Sequence, residues 1–173
     1  MTATELRDLV VQGLHGYTHR PVVLSDQIVA EAAAPYLYYQ FVQELIPGNG
    51  SETLAAGSGT DDVMVTRTAQ VEATLSVTAC AYNSDQEDGS TRFGDDQAMA
   101  LAYLARKWFY LSGYQALSDA GVVVVDVEPI APRSALDYVD VARRHGFDVR
   151  LRYTVMDTDT RPAILHAAAQ EKE

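Results

Sequence analysis

The sequence predicts an α+β fold: a mostly antiparallel sheet packed against one long helix and an N-terminal helix, in the order α-β-β-β-α-β-β. Three observations predict it. Apolar and polar residues alternate, with the period of a half-buried strand, over residues 63–81 and again over 147–155. Between those segments Leu101, Leu104, Trp108 and Leu111 form a helical stripe. Strands cluster before and after that helix instead of alternating with several helices, which separates the pattern from a parallel α/β sheet.

The N-terminal helix opens at a capping box, with Thr2 and Glu5 at the Thr-x-x-Glu spacing that satisfies two free backbone donors. Leu6, Leu9, Val10 and Leu14 follow on one face. Gly13 and Gly16 weaken the helix end and Pro21 stops it. Residues 21–34 lack a clean period, with 32–34 suited to a short helical turn. Pro35 opens the first strand, PYLYYQFVQELI. Leu37, Tyr39, Phe41 and Leu45 share one face; Tyr38, Gln40 and Glu44 share the other. Residues 47–60 hold four glycines and a proline and read as a long flexible loop.

The alternation over 63–81 is long for one strand, and Arg67 interrupts its apolar face. Either a bend or bulge lies near Arg67, or two strands meet there at a tight turn; the residues leave both open. Residues 83–96 form a second polar loop containing Asp85, Glu87, Asp88, Asp95 and Asp96. The last two begin the long helix, 95–111, where negative charge complements the helix dipole. Ala105 and Phe109 widen its stripe and Gly113 stops it. A short helical piece, 114–120, ends at Gly121. Residues 122–130 form a strand bounded by Pro129 and Pro132, and 135–141 are extended or helical. The last strand, 147–155, turns Phe147, Val149, Leu151, Tyr153 and Val155 inward, and Asp148, Arg150, Arg152 and Thr154 outward. One domain is expected over 1–156, with 157–173 as a C-terminal extension or arm.

Composition narrows the function. The 173 residues are 47% hydrophobic and 21% charged, the balance of a single globular domain. Acidic residues outnumber basic ones 24 to 13, and the net charge of −11 argues against a general grip on nucleic acid. The single cysteine, Cys80, excludes an internal disulfide framework and a cysteine-rich zinc site. The opening MTATELRDLV has neither a basic n-region nor an apolar h-region, so no signal peptide is expected. No apolar run approaches the roughly 20 residues of a membrane span. A soluble, cytoplasmic chain without membrane contact is expected.

Chemistry-bearing patterns are sparse. Cys80 has no histidine beside it and reads as an inert thiol. His15 and His19 stand four apart, but the glutamate of a His-Glu-x-x-His motif is missing. The string Asp85-Gln-Glu-Asp-Gly89 has its glycine one residue early and lacks the final glutamate of a calcium loop. Gly48, Gly50, Gly57 and Gly59 lead into a strand, whereas a phosphate cradle needs a helix N-terminus. No catalytic residue, cofactor or metal site is expected. Arg143, Arg144, Arg150 and Arg152 form the basic concentration of an acidic chain. Together with Asp95 and Asp96 they are candidate subunit-interface residues. The arginines either pair with acidic residues on their own exposed face or meet an acidic patch on a neighbour.

Three strings carry a resemblance. They are Pro35-Tyr-Leu-Tyr-Tyr39, Val71-Glu-Ala-Thr-Leu-Ser-Val-Thr-Ala-Cys-Ala-Tyr82 and Ala142-Arg-Arg-His-Gly-Phe-Asp-Val-Arg-Leu-Arg-Tyr153, with the long helix between the second and third. In this order they resemble the neck and tail terminator proteins of tailed bacteriophages, over roughly residues 1–156. The resemblance implies a structural virion protein that forms a ring, typically of six copies, at the head-proximal end of the tail. Such a ring ends tail-tube polymerisation and joins the tail to the neck or head-completion proteins. The implied partners are its own copies, the tail tube, the sheath protein and a neck or head-completion protein. The implied location is the neck–tail junction of the virion, reached by assembly in the host cytoplasm. DNA would pass through without specific binding: six copies at −11 each carry about −66, and a lumen lined by part of that charge repels phosphates. The alternatives are another neck or head–tail joining component and, from a different class, a small ligand-binding or enzymatic α+β domain. The latter would line its pocket with Tyr36, Tyr38, Tyr39 and Tyr82.

Overall fold

The computed structural model describes residues 1–25, 33–45, 50–57, 62–134 and 142–162. Helix α1 (Ala3–Thr18) begins at the predicted capping box. The Glu5 N–H donates to Thr2 Oγ1 at 3.2 Å, and the Thr2 N–H donates to Glu5 Oε2 at 2.7 Å. The bond from the Thr2 backbone, aided by its hydroxyl, holds the Glu5 carboxyl below its ordinary pKa. His19 ends the helix in the left-handed region, at φ 53°. Leu6, Val10 and Leu14, spaced four apart, are buried. Each such side chain taken from water contributes about 1.5–3 kcal/mol.

Among the described residues nine strands follow in chain order: β1 (Val22–Leu24), β2 (Tyr36–Leu45), β3 (Ser51–Ala56), β4 (Asp62–Ala81), β5 (Ser84–Asp85), β6 (Thr91–Arg92), β7 (Val123–Val127), β8 (Ala131–Pro132) and β9 (Arg143–Pro162). Helices α2 (Gly94–Tyr110) and α3 (Ser112–Asp119) lie between β6 and β7. The main sheet runs β1-β2-β4-β9-β7, with β3 beside β4 and β8 beside β9. Its pairs are antiparallel except β1 with β2.

The backbone settles the question at Arg67. β4 is one strand, paired with β9 from Asp62↔Pro162 to Ala81↔Arg143 without a register shift. What changes near Arg67 is the neighbour on the other side. β3 pairs with residues 63–68 and β2 with residues 72–80. The upper half of β4 therefore belongs to the main sheet, and its lower half to a three-stranded ribbon of β3, β4 and the end of β9.

The apolar face of the sheet carries Leu37 and Tyr39, the odd-numbered residues from Val71 to Ala79, and Phe147, Val149, Leu151 and Tyr153. α2 closes this face with Leu101, Ala102, Ala105, Trp108 and Phe109, joined by Leu117 of α3 and the apolar side of α1. Aromatic edges lock the centre: Trp108 and Phe109 centroids are 4.8 Å apart, Phe109 and Phe147 6.1 Å. Gly13 and Gly113 lie against the Trp108 indole. Their absent side chains make room for the ring, and this replaces the helix-ending role the sequence suggests: Gly13 lies inside α1, which runs on to Thr18, and Gly113 lies inside the helix that follows α2.

Several expectations are corrected. Residues 51–56 of the expected 47–60 loop form β3, and 83–96 hold the short β5–β6 hairpin. β1 arises in the stretch without a clean period. β7 is shorter than 122–130 and has a bulge at Val125. Leu111 is not part of the buried stripe; it is exposed at the break between α2 and α3. The last strand begins four residues before Phe147 and continues to Pro162, so 157–162, expected in the extension, is strand. The readings for 135–141, for 163–173 and for part of the turn at 32–34 lie outside the described residues.

Candidate assembly interface

The other face of the sheet is polar, because the same alternation that buries Val71 to Ala79 turns Glu72, Thr74, Ser76 and Thr78 away from the helices. Arg133 lies across it. Its Nη1 donates to Ser76 Oγ at 2.5 Å and Thr78 Oγ1 at 3.0 Å, and its Nη2 to Asp148 Oδ1 at 2.6 Å. Gly146 makes this crossing possible: a β-carbon there would stand 2.5 Å from Thr78 Oγ1 and 2.8 Å from Arg133 Cδ. Arg133 closes over Thr78, which is why that residue is buried on the face the sequence marks as polar.

The candidate arginines divide. Arg144, Arg150 and Arg152 share the polar face; Arg143 falls on the helix side of the same strand. Arg152 pairs with Glu72 opposite it, Nε to Oε1 at 2.8 Å with a second bond from Nη2. Arg150 approaches Asp126 of β7 at 3.7 Å, with both side chains about half exposed. Exposed pairs of this kind contribute about 0–1 kcal/mol. Arg144 is beside Cys80 and the tyrosines Tyr38 and Tyr36. Burial opposes its charge, but these neighbours outweigh burial and its pKa is raised. Cys80 itself is fully buried.

Asp95 and Asp96 begin α2 on the helix side, so they do not join the arginines of the polar face. Asp95 Oδ1 is 2.9 Å from Nε2 of the buried His145, tying the start of α2 to β9. Asp96 is exposed. Three of the candidate tyrosines divide between the two faces of the sheet. Tyr36 and Tyr38 are on the polar face, and Tyr39 is buried on the helix face, where burial raises its hydroxyl pKa. Among the described residues no three His, Cys, Asp or Glu side chains gather as metal ligands.

Two features escape the sequence reading. Arg133 is flanked by Pro132 and Ser134 and shows no period. The second feature is a pair of strand edges. Among the described residues nothing pairs with the outer edge of β7 or the outer edge of β3, which lie at opposite sides of the sheet. All six residues of β3 are exposed. Beside β7, under the α2–α3 corner, is a cleft of about 290 Å³ lined by Phe109, Tyr110, Tyr114 and residues 124–127. The glycine-flanked, both-sides-exposed β3 gives no hydrophobic period by which to find it.

The fold defines an α+β protein of one large, mostly antiparallel sheet with its helices on one side. The family model described as phage neck terminator protein matches residues 4–171, nearly the whole chain, and the chain belongs to that family. The match extends past residue 156 into the C-terminal segment. No curated protein matches the chain. Among the described residues no helix is long and apolar enough to cross a membrane.

Proposed function

We propose that copies of this chain join head to tail into a ring at the head-proximal end of a phage tail. There the ring ends tube polymerisation and joins the tail to a neck or head-completion protein. The membership of nearly the whole chain in the neck terminator family carries this reading. The sheet supports it: a head-to-tail contact needs two different surfaces on each subunit, and a sheet with unpaired edges on opposite sides supplies them. Six copies, a lumen lined by part of the net negative charge and passage of DNA without specific binding complete the proposal. So do the contact residues Arg143, Arg144, Arg150, Arg152, Asp95 and Asp96, residence in the virion and a structural role without turnover.

Mass photometry of the purified protein, with negative-stain imaging beside isolated tail tubes, tests it. The expected result is a closed ring, alone or capping tube ends. A chain that stays monomeric and never localises to a tube end overturns the proposal.

A further inference from the structure

We infer that β3 of one copy adds to the free edge of β7 in the next, with Leu54 seated in the cleft beside β7. This deepens the ring proposal and rests on it.

Polarity, sidedness and charge agree. β3 runs antiparallel to β4, β4 to β9, and β9 to β7. A neighbour placed by continuing the sheet therefore brings its β3 antiparallel to β7, and the added strand gains main-chain hydrogen bonds while its side chains enter pockets. Leu54 pairs with Val65, an odd-numbered residue of β4, so it projects on the helix side. The cleft is on that side as well, since Val124 pairs with Leu151 and the wall is made by Phe109, Tyr110 and Tyr114. Leu54 is 71% exposed within its own chain and Val123 of β7 56%.

In the antiparallel pairing Glu52 falls near the end of β7, where Arg106 lies. Arg106 donates to the carbonyls of Val127 and Glu128 and to Tyr110 Oη. Among the described residues it has no carboxylate partner, and Glu52 of a neighbour supplies one. β3 flanks the lower half of β4 while β7 flanks the upper half of β9. Successive copies are thus staggered along the strands, as strands are in a tilted barrel.

The test uses the full chain. In a Cys80→Ala background, Ala55→Cys and Val123→Cys, both on the polar side of their strands, are combined and oxidised. The expected result is a ladder of cross-linked species ending at the ring. Leu54→Asp, at an exposed position, should leave the far-ultraviolet spectrum unchanged and weaken assembly by about tenfold or more per contact. Rings that form normally with Leu54→Asp and give no cross-link overturn this inference and leave the ring proposal standing. A wild-type chain that forms no multimer, alone or at tube ends, overturns both. Cross-linking absent from rings but gained when a different neck protein is added assigns the β7 edge to that protein and overturns the inference.

Discussion

Gly13 of α1 forms the seat on which the Trp108 indole of α2 rests: a β-carbon at Gly13 would stand 2.2 Å from Trp108 Cζ2. A β-carbon at Gly113 would likewise stand 2.3 Å from Trp108 Cε2. The indole is also held by its edge contact with Phe109, so it has little room to yield. Replacing a helical glycine by alanine gains about 1 kcal/mol of propensity. Overpacking a filled core costs about 1–3 kcal/mol, and the overlap here is with a rigid ring. Gly13→Ala is expected to lower stability in urea denaturation. A variant more stable than wild type would refute the seating role.

Arg133 ties Ser76, Thr78 and Asp148 together through one guanidinium. Arg133→Ala removes three hydrogen bonds and leaves Asp148 without its cation, an expected loss of about 1–3 kcal/mol. Lysine has a single compact ammonium in place of the planar fork, so Arg133→Lys should recover less than half of that loss. Thermal melts of the two variants check this, and full recovery by lysine would show that charge alone matters.

Reversing both Arg150 and Arg152 sets like charges against Asp126 and Glu72. The Arg150–Asp126 pair is exposed and the Arg152–Glu72 pair part-buried, so folding should lose about 1–3 kcal/mol, most of it at Arg152. Ring assembly should fall much further. Adding Asp126→Arg and Glu72→Arg to the reversed pair restores attraction within the chain. Circular dichroism should then show recovered stability while assembly stays impaired. Recovery of assembly in that quadruple variant would assign the arginines to their own sheet alone.

The capping box predicts a pH response. Glu5 has a lower pKa folded than unfolded, chiefly through the bond from the Thr2 backbone. Its stabilisation is complete above the unfolded pKa and is lost as pH falls through the folded one. Between about pH 5 and pH 3, wild type should lose more melting temperature than Glu5→Gln, whose amide does not titrate. Parallel curves would mean that the box adds nothing to folding.

Elements with one dry face were readable in the sequence. The alternation Val71 to Ala79 and Phe147 to Tyr153 marks the strands, and the spacing of Leu101, Ala105 and Trp108 marks the helix, because burial imposes a period. β3 and the end of β9 have solvent on both faces, so Ser51–Ala56 and the run from Asp157 to Arg161 show none. The surfaces were harder still. The alternation puts Arg150 and Arg152 on one side of their strand, but pairing with Asp126 and Glu72 depends on which strands become neighbours. Asp95 was legible as a helix start, while its partner His145 is fifty residues away. A bridge such as Arg133 depends on a chain crossing that no local pattern encodes.

The uninterrupted β4–β9 ladder also bears on mechanical load. Pulling the two strands past each other along their length stretches every rung together, whereas peeling them apart opens one rung at a time. A component gripped at the ribbon tip and at the helix-backed end therefore meets tension in its stronger direction. A shove at one end travels down a stiff rod to the other.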